Sequence, residues 1–363
     1  MSTLATGATE LMLAMQTPTP KGYWGVPVLV WGTPGTGKST FIESLQRDGF
    51  PVYTMIASLH DPTDFNGLPA LHNGRMRFAP PEWVYLFEEH GQGILFLDEL
   101  TTAPPTVQAA LLRLVLERKV GAHSLPAGVR VVAAANPPEM AANGWELAPP
   151  LANRFAHLQF QLDAGEWVKL FPSYWGNPPQ LEGVDEQVWA RARARVAAFL
   201  TRRPNLLYTY DPSREETRFA TPRTWDMFSR AWAVAHLDST AAGDLAATLV
   251  GDAPAAEFAS WVTTLDLREP AEILALGRAY RLPTRGDIAH AELTALAESG
   301  EAIESPDAWD RAWEVLRVVA QNATDLAALA AGRLLKRGRA LYGTPDLSGF
   351  TEFMSAIEEV VRQ

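Results

Sequence analysis

The stretch Val28-Leu29-Val30-Trp31-Gly32-Thr33-Pro34-Gly35-Thr36-Gly37-Lys38-Ser39-Thr40 decides how the chain is read. Four apolar residues form a buried strand, and Gly32 to Ser39 follow it with the spacing G-x-x-x-x-G-K-[ST] of a phosphate-binding loop. Glycines let the backbone bend tightly, so that successive N–H groups face an anion at the start of the next helix. Gly32, Thr33, Pro34, Gly35, Thr36, Gly37, Lys38, Ser39 and Thr40 are therefore the candidate nucleotide-binding residues. Lys38 is expected to reach the β/γ-phosphates, and the Ser39 hydroxyl to bind Mg²⁺.

A second functional pattern follows downstream. Ile94-Leu95-Phe96-Leu97 runs straight into Asp98-Glu99, as a strand buried on both faces does when it exposes carboxylates at its carboxyl end. Asp98 is the candidate Mg²⁺ ligand, and Glu99 the group that polarises an attacking water. Between the two motifs, the residues predict a helix from Lys38 to Arg47, a strand Val52 to Ile56 and a small hairpin turning at Asn73-Gly74. A helix from Pro81 to His90 comes next. Pro104-Pro105 opens an amphipathic helix through Glu117, and further buried strands are expected at Val129 to Ala135 and His157 to Phe160. One β-α-β unit after another implies a parallel sheet of five strands flanked by helices.

After about Leu162 the pattern turns helical, with helices expected at Glu186 to Leu200, Thr221 to His236 and one or two within Asp307 to Ala331. The expected division is an α/β nucleotide-binding domain over 1–161, carrying an insertion hairpin at about 66–80, and an all-α lid with a helical extension over 162–363.

Composition narrows the partners. Lys and Arg number 31 against 42 Asp and Glu, a net charge of −11 that disfavours a surface built to neutralise nucleic acid. Arg191-Ala192-Arg193-Ala194-Arg195 is the candidate for a basic nucleic-acid contact, and a solvated helix face is its simplest reading. The chain has no cysteine, which removes disulfides and thiolate chemistry and fits a reducing compartment. Its 7 histidines are scattered without metal-ligand spacing. No apolar run approaches a membrane span, so the chain is read as cytoplasmic, with no membrane partner.

Taken in order, Gly32 to Ser39, Ile94 to Leu100, Ala103 to Leu112, Ala134-Ala135-Asn136-Pro137 and Leu151-Ala152-Asn153-Arg154-Phe155 resemble the AAA+ ATPases, and more narrowly their MoxR branch. The resemblance covers residues 25 to about 235. It implies ATP as nucleotide, Asn136 as the first phosphate sensor, Arg154 as an arginine finger reaching a neighbouring subunit, and Arg223 as the sensor on the lid. It also implies a homo-oligomer, a hexameric ring, that remodels a protein partner or helps it take up a metal or cofactor; a von Willebrand factor A-type protein is the partner such ATPases commonly have. A slow nucleotide-gated scaffold and a nucleic-acid motor are the alternatives. Two departures stand out: Asn153 occupies a position where the family usually has Asp, and Thr101-Thr102 replace a common Asn-Arg.

Overall fold

A computed structural model describes residues 5–6, 8–137, 140, 144–176, 179–214, 216–264, 267–345 and 351–362. The chain divides into two compact units, Thr3–Leu162 and Asp163–Gln363.

The first unit is built on five strands, β1 (Val28–Trp31), β2 (Val52–Ile56), β3 (Gln92–Asp98), β4 (Gly128–Ala135) and β5 (Ala156–Gln159). They form one sheet in the order β5-β1-β4-β3-β2, and every neighbouring pair is parallel. Alternate residues of each strand serve opposite faces, which is why the strands are apolar almost throughout. Leu29, Leu95, Leu97, Val129, Val131 and Ala133 enter one core. Val28, Val30, Ile94, Phe96, Val132 and Ala134 enter the other.

Helices α1 (Ala8–Gln16) and α2 (Lys38–Glu43) cover the second face through Leu11, Met15 and Ile42. The first face is covered by α3 (Pro62–Asn66), α4 (Glu82–His90) and α5 (Pro105–Glu117), through Phe65, Trp83, Val84, Phe87, Val107, Leu111, Leu114 and Val115. The strands Leu68–His72 and Arg75–Ala79 pair antiparallel around Asn73 and Gly74, both at positive φ, the geometry of a two-residue hairpin turn.

In the first unit most boundaries fall within two residues of expectation, and the largest difference follows the phosphate loop. The helix that follows the phosphate loop ends at Glu43, not Arg47. Arg47 and Phe50 exchange backbone hydrogen bonds across Asp48-Gly49, with Gly49 at φ 71°, and this tight turn withdraws Arg47 from the helix. The Arg47 guanidinium then lies 4.9 Å from the centre of the Phe50 ring.

The second unit is helical: α6 (Ala164–Leu170), α7 (Glu186–Arg202), α8 (Pro222–Val234), α9 (Ser239–Val250), α10 (Asp252–Val262), α11 (Pro270–Leu276), α12 (Gly286–Glu298), α13 (Pro306–Ala320), α14 (Thr324–Tyr342) and α15 (Thr351–Arg362). Side chains from α7, α8 and α10 meet in an aromatic cluster of Phe199, Trp225, Phe228, Trp232, Phe258 and Trp261. The arginines of α7 are not a solvated face. Arg193 is buried, stacks 4.1 Å from the Trp189 ring centre and donates to Pro172 O and Glu186 Oε1; Arg191 and Arg195 both pair with Glu269. A buried guanidinium needs such partners, and the pairing turns this stripe inward.

His290 lies buried on α12, where desolvation, reinforced by the Arg333 charge, lowers its pKa from 6.5 to about 4. Arg333 itself donates to Thr294 Oγ1 and stands 3.9 Å from Glu298. Between pH 6.5 and pH 4 the unfolded chain takes up a proton at this residue that the folded chain refuses, so its contribution is lost as pH falls through that window. The expected loss is about 3 kcal/mol by linkage. Urea denaturation at about pH 7.5 and pH 4.5 checks this, since His290→Leu should remove that part of the pH dependence.

Candidate functional site

The parallel register brings the candidate residues to one end of the sheet. β1, β4 and β3 are adjacent, with Trp31 opposite Ala135 and Leu97 opposite Ala133, so Gly32, Asn136 and Asp98 leave the sheet side by side at its carboxyl edge. Gly32 N donates to Ala135 O at 3.2 Å, tying the loop's first residue to the neighbouring strand end. A side chain at Gly32 would meet Phe160 O at 2.9 Å and Lys38 Cδ at 3.0 Å, so this position needs a hydrogen for steric reasons. Gly35 and Gly37 take positive φ, 75° and 95°, which only glycine adopts readily. The loop is closed by Thr36 Oγ1 donating to Thr33 O.

Lys38 is 7% exposed, and its ammonium donates to Gly32 O, Thr33 O and Asn136 Oδ1 at 2.7, 3.0 and 3.0 Å. These acceptors hold a buried cation across the mouth of the loop, where an anionic ligand would be met by it. Ser39 Oγ donates to Asp98 Oδ2 at 2.6 Å. The two candidate ligands of Mg²⁺ are thus in contact, and a hydroxyl beside a carboxylate is the hard-oxygen donor set that ion takes. Asp98 also accepts from Glu99 N at 2.9 Å, through its other oxygen.

Glu99 sits in the left-handed region at φ 54°, ψ 40°, a conformation costing a non-glycine residue about 1–3 kcal/mol. Thr102 offsets that cost: its N and Oγ1 both donate to Glu99 O, at 2.9 and 2.7 Å. Glu99 is exposed and directly follows Asp98, the partner of Ser39 in the phosphate loop. The Thr101-Thr102 departure thereby acquires a physical role that spacing could not disclose.

Arg154 stands elsewhere. β5 runs parallel to β1 with Ala156 opposite Val28, and Arg154 lies in the turn before Ala156, at the amino-terminal edge of the sheet. The four residues of β5 separate it from the level of Gly32, ~13 Å at a strand rise of ~3.3 Å per residue. Its Nη1 donates to Pro150 O, and its Nε has no hydrogen-bond partner among the described residues. Arg223 belongs to the helical unit, exposed in the first turn of α8, behind the capping box of Thr221 and Thr224. A cation at a helix N-terminus is unfavourable against the helix dipole.

Residues 27–155 match the AAA domain family described as the dynein-related subfamily. The likeness is to an AAA domain and covers about a third of the chain. Curated relatives align over about three tenths of this chain. The pathogenicity-locus regulatory protein WtsA of Pantoea stewartii subsp. stewartii is 30% identical over 121 residues, 31% of this chain and 38% of the relative. The Psp operon transcriptional activator of Escherichia coli (strain K12) is 35% identical over 130 residues, 30% of this chain and 37% of that protein. This chain therefore spans less than two fifths of the length of either relative. Among solved structures, a point mutant of Thermotoga maritima RuvB aligns over 80% of this chain and 79% of its own at 16% identity, with a TM-score of 0.34, too low to bear on the reading.

Lys38→Ala removes the buried ammonium from the mouth of the phosphate loop. Loss of a charged hydrogen-bond donor of this kind is expected to weaken ATP binding by about 10- to 100-fold, corresponding to about 1.5–3 kcal/mol. Titration with a fluorescent ATP analogue measures it, with circular dichroism to confirm that the fold is retained.

Proposed function

We propose that this protein is a Mg²⁺-dependent ATPase acting as a homo-oligomeric ring, in which each phosphate loop is completed by Arg154 of the adjacent subunit. One observation carries the reading: Arg154 lies at the sheet edge opposite the phosphate loop of its own chain, beyond an arginine's reach, so any phosphoryl group it contacts belongs to another copy.

In this reading the backbone of Gly35 to Ser39 and the Lys38 ammonium bind the β- and γ-phosphates. Ser39 and Asp98 hold Mg²⁺, which, when bound, neutralises phosphate charge. Glu99 orients and takes the proton of the attacking water, while Asn136, released from Lys38, turns its amide to the γ-phosphate or that water. Arg154 stabilises charge on the transferring group, and Arg223 on the lid pairs with phosphate, which would offset its unfavourable place at the start of α8.

The work done by turnover is remodelling of a protein partner in the MoxR manner, including metal or cofactor insertion with a von Willebrand factor A-type protein. This rests on the motif order alone. A second reading follows from the relatives, one of them a transcriptional activator: a regulator that engages DNA. Against it, the net charge is −11, and Arg191, Arg193 and Arg195 of α7 are committed to Glu186, Glu269 and Pro172 O. A third reading is a slow nucleotide-gated scaffold.

ATP turnover per protomer across a dilution series, for the native chain, Arg154→Ala, Glu99→Gln and their mixture, tests the proposal. Both variants should be inactive alone, with losses of about 10³-fold or more, and the mixture should regain turnover. Turnover independent of concentration, with nothing regained on mixing, would leave the scaffold as the better account. Stimulation by duplex DNA would favour the regulator.

A further inference from the structure

The strand that feeds the phosphate loop and the turn that bears Arg154 are joined by two large side chains. Trp31, the last residue of β1, points its indole Nε1–H at His157 Nδ1 on β5, 2.8 Å away. The other ring nitrogen, His157 Nε2, lies 2.9 Å from Ala152 O. These two contacts require one neutral tautomer: Nε2 carries the proton and donates to the carbonyl, and Nδ1 accepts from the indole. The rings are nearly parallel, 21° apart, with centroids at 6.0 Å.

The register explains why they meet. His157 lies opposite Leu29 and Trp31 opposite Gln159, so Trp31 and His157 are diagonal neighbours on the same face of the sheet. Both ends of the bridge are tied down. Trp31 O accepts from Phe160 N, and the next residue, Gly32, donates to Ala135 O. Ala152 O also accepts from Phe155 N, within the turn whose Leu151 and Phe155 are buried in the core.

We infer that Trp31 and His157 are positioning residues that fix the Arg154 turn against the strand entering the phosphate loop, so that the set of one subunit's loop governs how it presents Arg154 to its neighbour. The inference rests on the trans action of Arg154 proposed above. It gives His157 a task that its isolation from the other histidines concealed. It also accounts for an indole at the last strand position, where packing alone would accept any apolar side chain.

The test uses full-length chains in the complementing mixture, where every working site belongs to an Arg154→Ala subunit and every finger to a Glu99→Gln subunit. His157→Ala placed in the Glu99→Gln subunit should lower turnover of the mixture by about 10- to 100-fold, the scale of a misplaced catalytic group. The same substitution in the Arg154→Ala subunit, which presents no guanidinium, should cost little by comparison. A general structural defect would act from either subunit. In the finger-donating subunit, His157→Gln should restore most of the turnover, because its amide can accept from Trp31 and donate to Ala152 O. Trp31→Phe, which keeps a ring and loses the donor, should lower it. If the parent mixture is active and His157→Ala costs the same from both subunits, or nothing from either, the positioning role is wrong while the trans reading stands. An inert parent mixture overturns both.

Discussion

Three parallel strands that end within one residue of a common level organise this molecule. Because β1, β4 and β3 pair in register and each is apolar on both faces, their carboxyl ends are the first places where the chain can turn polar without burying an unpaired group. Gly32, Asn136 and Asp98 are the residues at those ends. Ser39 and Lys38 are brought to them by a loop whose glycines permit positive φ, and the contacts of Ser39 with Asp98 and of Lys38 with Asn136 follow. Each of these hydrogen bonds joins groups far apart in sequence.

The same constraint sends Arg154 away. Parallel pairing of β5 with β1 means that whatever precedes β5 lies at the amino-terminal edge, and a side chain there cannot serve the loop of its own chain. The composite site proposed between copies would use both edges. The Trp31 to His157 bridge spans the distance between them inside one subunit.

Charge in the helical unit is handled by burial with partners rather than by exposure. Arg193 reaches Pro172 O and Glu186, and Arg268 grips the buried Glu292, which also accepts from Tyr280. Such networks hold helices in one arrangement because any other would leave a buried charge unpaired. They also explain how a sequence dotted with arginines can offer so little of a basic face on α7.

Much of the first unit was legible from residue order. The strand Val52–Ile56, the hairpin turn at Asn73-Gly74 and the helix Pro105–Glu117 stand where apolar period and turn chemistry put them, since local sterics and burial act on neighbours in the chain. The parallel α/β fold around the phosphate loop was likewise readable, because that loop is a backbone device that needs particular glycines at fixed spacing. What pairing across the sheet decides was not readable. The early end of α2, the strained Glu99 held by Thr102, the inward turn of the α7 arginines and the Trp31–His157 contact all depend on which distant residues become neighbours. Sequence by itself determined the local elements and the kinds of chemistry they can carry; only tertiary structure decided which groups meet, because strand register is a long-range property set by burial on both faces of the sheet.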